Sequence, residues 1–304
     1  MLYRSLGATA LVVSEIGFGC ASYWGKPQFA EREAIGLVHQ AIEAGVTFFD
    51  TGASYARGEA EPRLGRALKG RDASRLVIAS KAGTRHVGGG RIVRDMSPAG
   101  VVASAEASLQ RLGLDVLPLL QLHGPAISEL DEPLLAALEG LRARGMVRAL
   151  GVNSFDPAVI EHVLGLAAFD VVMVDYNILR PERAGLVARA AAAGKGVLAG
   201  MALGMGHAQF QVLKLRGPQD LWYAARGLGR HREEMRRGAR VARLLNVPGM
   251  TPAQAALAYV LDDANVACAV VGTTRPGHLA QNVAASGMSL PASVRSATDE
   301  ALQI

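Results

Sequence analysis

The chain has little cysteine: Cys20 and Cys268 are its only two, far apart and in no C-x-x-C spacing. That scarcity argues against a disulfide framework and a cysteine-based zinc site, and makes a reducing cytoplasm the expected compartment. No apolar run approaches the ~18 residues that a membrane span needs. The opening MLYRSLGATALVVSEIGFG lacks a basic segment leading into an unbroken apolar core, since Glu15 interrupts it, and so reads as strand material and not as a signal peptide. Aromatic residues make up only 5% of the chain. No stacking platform of interleaved aromatic and basic residues is present, so nucleic acid is not an expected partner. There is no P-loop. The one G-x-G that follows a strand-like run, Gly17-Phe18-Gly19, has Ser22 where a dinucleotide-binding turn needs a third glycine, and loop-like residues follow where a helix should start.

Half of the 304 residues are hydrophobic, with Ala, Val, Leu and Gly prominent, a composition suited to helices packed on parallel strands. The net charge of +5 is concentrated in one place. Residues 211–245 hold nine Lys and Arg against Asp220, Glu233 and Glu234, which leaves the rest of the chain close to neutral. A segment of this kind reads either as a solvated helical excursion or as an electrostatic guide for an anionic ligand such as a phosphorylated cofactor.

Short β-branched runs alternate with longer amphipathic stretches. Eight strands are predicted at Ile16–Gly19, Thr47–Asp50, Val77–Lys81, Val116–His123, Ala149–Asn153, Val171–Tyr176, Gly196–Ala199 and Ala267–Val271. Helices are predicted over 31–44, 59–69, 98–112, 130–144, 157–167, 183–193, 252–262 and 276–286. Ser97-Pro98, Asp156-Pro157 and Thr251-Pro252 each place a capping side chain before a proline suited to a first helical turn. Gly45, Gly145 and Gly194 fall where helix ends call for a left-handed residue. Eight such units imply an α/β fold of the (β/α)8 TIM-barrel type. It would form a single domain over 1–304, with an N-terminal hairpin through Gly7-Ala8-Thr9 and an extra C-terminal helix near Pro291–Leu302.

In a parallel barrel, function gathers at the carboxyl ends of the strands. The second strand ends FFDTGASY, giving Asp50 and then Tyr55; the third ends VIASK, giving Lys81; the fourth ends LLQLHG, giving His123. Each residue alone fits a structural role, but four on consecutive strand ends point to chemistry. A free tyrosine has a pKa near 10, and a neighbouring ammonium favours its phenolate. A paired Asp would hold that ammonium in place, and a neutral His would donate a hydrogen bond to a carbonyl or relay a proton. These groups do not make a carboxylate-rich metal cage, so a metal-dependent isomerase is not expected.

These segments resemble those of the aldo-keto reductases over nearly the whole chain. FFDTGASY is similar to that family's D-T-A-x-x-Y segment, LVIASK and LLQLHG to its lysine and histidine motifs, GMVRALGVNSF to its G-V-S-N signature, and CAVVGTTRPGHLAQNVAA to its cofactor-phosphate segment. The resemblance implies a nicotinamide-dependent oxidoreductase acting on a small carbonyl or alcohol, with Tyr55 as general acid/base, Lys81 and Asp50 tuning it, and His123 orienting the substrate. It places Asn153 and Ser154, in reversed order, at the carboxamide position. Gly272, Thr273, Arg275, His278, Gln281 and Asn282 fall at the adenosine end, where Arg275 is suited to a 2′-phosphate, so NADP is expected over NAD. Met173 stands where a carboxamide-binding Gln is common, and Gly200 where many members stack an aromatic ring. Tyr23, Trp24 and Arg85 are the expected substrate contacts, the last in a polar loop over 82–96, and the stretch 202–250 is expected to fold over the pyrophosphate. The family's barrel also occurs as channel β subunits, which leaves a cofactor-sensing regulatory protein as the alternative.

Overall fold

The computed structural model describes residues 1–87, 91–204 and 232–302. The chain opens with an antiparallel hairpin of β1 (Tyr3–Ser5) and β2 (Val12–Ser14). Eight parallel strands then close into a barrel: β3 (Ile16–Gly19), β4 (Phe48–Asp50), β5 (Val77–Ala82), β8 (Leu117–His123), β9 (Val147–Asn153), β10 (Val171–Val174), β11 (Gly196–Ala199) and β12 (Val266–Val271). Neighbours pair in chain order, and β12 seals the cylinder against β3 from Ala269–Ile16 to Val271–Phe18. The expected (β/α)8 barrel is therefore the observed one, with strand limits within two residues of those read from sequence.

The helices between the strands are α1 (Glu31–Glu43), α2 (Ala60–Leu68), α3 (Pro98–Leu112), α4 (Glu132–Ala143), α5 (Pro157–Leu164), α6 (Ala184–Ala192), α7 (Arg232–Val241), α8 (Pro252–Leu261) and α9 (Pro276–Val283), with α10 (Ala292–Leu302) at the end. Their starts are set by the residues that signalled them. Ser97 Oγ accepts from Gly100 N at 3.1 Å, and Thr251 and Gln254 cap each other reciprocally. Gly45, Gly145 and Gly194 take the left-handed backbone expected after their helices.

Two apolar layers result. Between strands and helices lies the larger core, containing Phe49, Ile78, Leu120, Leu150 and Val172. Inside the barrel, Phe48, Val77, Leu119, Val171, Met173 and Leu198 pack with Leu6, Leu11 and Val13 of the N-terminal hairpin. The hairpin thus plugs the amino end of the barrel, and each buried Leu or Val contributes about 1.5–3 kcal/mol of transfer free energy. Gly7 makes the approach possible: its φ is +61°, and a Cβ there would stand 2.2 Å from Gly196 N. An ion pair completes this floor. Glu15, fully buried, accepts from Arg4 at 2.8 Å and from Gly287 N at 2.6 Å, while Arg4 also donates to the carbonyls of Leu261 and Val266.

One segment departs from expectation. The polar loop after β5 is a second hairpin, β6 (Thr84–Val87) and β7 (Arg91–Arg94), paired from Thr84–Arg94 to Val87–Arg91. Its strands bury no continuous apolar face, so no alternation marks them. Side-chain contacts tie it down, with Arg94 donating to Gly124 O at 2.8 Å and pairing with Glu129. The triple-glycine tip at 88–90 lies outside the described residues, as do Lys214, Arg216, Arg226 and Arg230 of the basic segment and its apolar stretch from Leu221 to Leu228.

Candidate active site

The register of the barrel brings the strand-end residues to one rim. Asp50 pairs across to Gly19 and Ala79, and His123 stands beside Asn153. Asp50 is nearly buried, and its Oδ1 accepts from Lys81 Nζ at 2.5 Å and from Gln121 Nε2 at 3.2 Å. Lys81 is fully buried and donates a second bond to Thr51 O at 2.8 Å. Its ammonium lies 4.8 Å from the centre of the Tyr55 ring. The ring in turn meets His123 edge-on, with centroids 5.5 Å apart. Asp50, Tyr55, Lys81 and His123, read separately from three strand ends, therefore form one contiguous cluster.

Tyr55 is held there by a costly turn. Ala56 and Arg57, directly after it, have φ of +52° and +62°, a left-handed conformation that costs a non-glycine residue roughly 1–2 kcal/mol. The turn packs so tightly on the loop after β3 that a Cβ on Gly25 would lie 2.4 Å from that of Ala56.

The electrostatics differ in one respect from the sequence-based expectation. Burial raises the Tyr55 phenol above its ordinary pKa, outweighing the opposing charge of Lys81, and Asp50 adds to the rise. Proximity of the ammonium was legible, but dehydration of the phenol was not. The resting phenol is therefore protonated at neutral pH. Burial also works against the Lys81 charge, yet Asp50 and Tyr55 more than offset it, and Lys81 is held above its usual value. Burial lifts the Asp50 carboxyl, against the pull of Lys81 and Gln121. His123 is driven down to about 4, first by burial and then by the charges of Lys81 and Arg94, so its imidazole is neutral.

Asn153 and Ser154 are both buried at the end of β9, and Ser154 N donates to Met173 O at 3.2 Å. Ser154 Oγ accepts from Asp156 N at 3.2 Å, which leaves the Asn153 amide as the freer group for a carboxamide. Met173 is buried in the barrel interior, and Gly200, also buried, packs beside it just after β11. A Cβ at Gly200 would lie 3.3 Å from both Met173 Sδ and the ring of Phe155, an exposed aromatic that sequence reading passed over. On the far side, Thr273 Oγ1 accepts from Arg275 N at 3.1 Å where α9 begins. Thr273, Arg275 and His278 are half-buried, Gly272 and Gln281 are exposed and Asn282 is buried. Groups able to hold an amide and an anion thus stand at strand ends of the same rim, a donor set that fits a nicotinamide dinucleotide.

Of the expected substrate contacts, Tyr23 is half-buried and Arg85 exposed. Trp24 is different. Its ring is 1% exposed, packs edge-on to Phe18, and donates its N–H to Ala34 O at 3.1 Å. These contacts serve packing, the alternative role that a Trp at this position also fits, and they leave Tyr23 and Arg85 as the more accessible of the three. Sequence reading also missed Gln121, Ser54 and Thr84. Ser54 Oγ lies 3.1 Å from Thr84 Oγ1, which lies 2.8 Å from His123 Nδ1. Both hydroxyls stand inside the segments already singled out, Ser54 before Tyr55 and Thr84 three residues after Lys81, but nothing in their spacing shows that they meet. Among the described residues no group of three or more His, Cys, Asp or Glu could hold a metal ion, and no helix is long and apolar enough to cross a membrane.

Comparison with known proteins agrees with this geometry. Residues 15–303 match the sequence model of the aldo/keto reductase family. An uncharacterized oxidoreductase of Bacillus subtilis, YqkF, is 28% identical over 94% of this chain and 91% of its own length. The D-threo-aldose 1-dehydrogenase of a Pseudomonas species is 29% identical, over 94% of this chain and 93% of that one. Among solved structures, the holo form of an aldo-keto reductase from Bacillus halodurans superposes with a TM-score of 0.85 at 26% identity, covering 99% of this chain and 96% of that one.

Proposed function

The chain belongs to the aldo/keto reductase family, and from that premise we propose that it is an NADP(H)-dependent oxidoreductase in which Tyr55 moves the proton that accompanies hydride transfer to or from an aldehyde, ketone or sugar. The observation that carries this reading is the placement of Lys81, fixed between Asp50 at 2.5 Å and Thr51 O at 2.8 Å with its ammonium beside the Tyr55 ring. When bound, the nicotinamide supplies or accepts the hydride. The protonated Tyr55 phenol donates to the carbonyl oxygen in reduction, or its phenolate takes the hydroxyl proton in oxidation. Two of the three Lys81 N–H groups are spent on Asp50 and Thr51, and the third serves the phenolate oxygen in a site where water no longer screens the charge. The neutral imidazole of His123 orients the same substrate oxygen.

Asn153 is assigned to the carboxamide, with Ser154 beside it, and Phe155 offers the aromatic surface that Gly200 lacks. Arg275 at the start of α9, with Gly272, Thr273, His278, Gln281 and Asn282, is assigned to the phosphorylated adenosine end. Tyr23 and Arg85 are left as the substrate-facing pair. The enzyme is taken to work as one domain in the cytoplasm.

The test is a fluorescence titration with NADPH and NADH, combined with turnover of carbonyl and sugar substrates. Arg275→Ala is expected to weaken NADPH by about tenfold and NADH little. Tyr55→Phe is expected to bind NADPH normally while turnover falls about 10³-fold. Failure of both nucleotides to bind overturns the cofactor assignment. Tight binding with no turnover by the unaltered protein favours cofactor sensing instead.

A further inference from the structure

The imidazole of His123 has two nitrogens, and only one of them carries the proton when the ring is neutral. Which one decides whether the ring offers the site a donor or an acceptor. His123 Nδ1 faces Thr84 Oγ1 at 2.8 Å, and Thr84 Oγ1 faces Ser54 Oγ at 3.1 Å. Ser54 is buried on the turn that carries Tyr55, whereas Thr84 opens the hairpin after β5. An imidazole nitrogen is a stronger base than a hydroxyl oxygen, so the contact is better made as O–H···N than as N–H···O. With Ser54 donating to Thr84, the single Thr84 proton is released toward Nδ1, and the whole row points one way.

We propose that Thr84, backed by Ser54, is a positioning residue that holds His123 as the Nε2–H tautomer, so that the ring presents a hydrogen-bond donor to the substrate oxygen. The other nitrogen of a functional histidine commonly sets its tautomer in this manner. Here the device also links the turn that places Tyr55 to the ring that meets Tyr55 edge-on, so the acid and the donor share one support. Burial and the nearby cations keep the ring neutral, which makes the choice of tautomer the remaining variable. The proposal rests on the function assigned above only for its effect on rate; the tautomer is a property of the protein itself.

The experiment is nitrogen-15 NMR of the His123 ring in the uncomplexed protein near neutral pH, for the unaltered chain, Thr84→Val, Thr84→Ser and Ser54→Ala, with turnover measured alongside. The expected spectrum shows a bare Nδ1 and a protonated Nε2. Thr84→Val, close in shape but without the hydroxyl, should shift the ring toward the other tautomer or a mixture and lower kcat about tenfold with KM changed less. Thr84→Ser should restore both, and Ser54→Ala should give a smaller change in the same direction. A protonated Nδ1 in the unaltered protein overturns the proposal, as does a Thr84→Val spectrum identical to it. If Thr84→Val does not fold, the Ser54→Ala spectrum decides. Absence of turnover throughout would sink the assigned function yet leave the spectra to judge the tautomer.

Discussion

Each end of the barrel contains an ion pair on a buried carboxylate, and the two pairs are built differently. At the floor, Glu15 accepts from Arg4 and from a backbone amide, while Arg4 spends three more of its N–H groups on the carbonyls of Leu261, Asp263 and Val266. The guanidinium fork cannot deprotonate and is well saturated, which suits a fastener. At the rim, Asp50 holds a lysine instead. An ammonium is compact, retains a donor after two bonds, and faces a titrating phenol. The same charge pairing thus fixes a plug at one end and, in the proposed reaction, supports proton movement at the other. What separates them is what the remaining donor faces, which at the rim is the Tyr55 ring.

The largest effect is expected from breaking the rim. Lys81→Met should lower kcat/KM about 10³-fold, near 4 kcal/mol of transition-state stabilisation. Its melting temperature should move less than that of the floor variant, because burial already raises the Asp50 pKa and the orphaned carboxyl can take up a proton. Next comes the floor: Glu15→Gln should cost about 3 kcal/mol in urea unfolding by leaving Arg4 without its counter-charge, while kcat/KM is retained. A Glu15→Gln enzyme that is stable but inactive would collapse the distinction between the two ends.

A third expectation sharpens it. The His123 pKa is depressed to about 4 in the fold, so an unfolded chain binds a proton that the native one refuses as pH falls below about 6.5. Stability is therefore lost between about pH 6.5 and 4, by roughly 3 kcal/mol at most, and changes no further through this residue below that range. Urea titrations at several pH values should show a shallower decline in His123→Gln, and an unchanged slope would remove burial as the cause. The smallest effect lies away from both ends. Ser97→Ala should cost about 1 kcal/mol of stability through the lost cap on α3 and leave turnover intact.

The barrel was legible because its strands are short runs of Val, Leu and Ile between capped helices, and a period of alternation survives without any tertiary knowledge. The four-residue cluster was legible because Asp50, Lys81 and His123 stand at the ends of such runs and Tyr55 lies in the loop just behind Asp50. The hairpin over 84–94 was not, since polar strands that bury no face leave no pattern. Trp24 shows the same limit from the other side: its position in a rim loop suggested a ligand contact, but only the packing of Phe18 and the carbonyl of Ala34 reveal where its ring went. The Tyr55 phenol was misjudged because a nearby charge can be read from residue order and dehydration cannot. Ser54 and Thr84 were in view as letters, but their meeting depends on two loops folding toward one histidine.

The plug at the floor has a consequence for how the molecule is made. Leu2 N bonds to Ser286 Oγ, a partner 284 residues further on, and Arg4 reaches Val266 O. The hairpin leaves the ribosome before nearly all of the surface it will cover. At about 5–20 residues per second, Leu6, Leu11 and Val13 wait on the order of ten seconds or more with their apolar faces uncovered. Nascent barrels with a damaged β11 or β12 should accordingly be held by chaperones at their beginning rather than at the lesion.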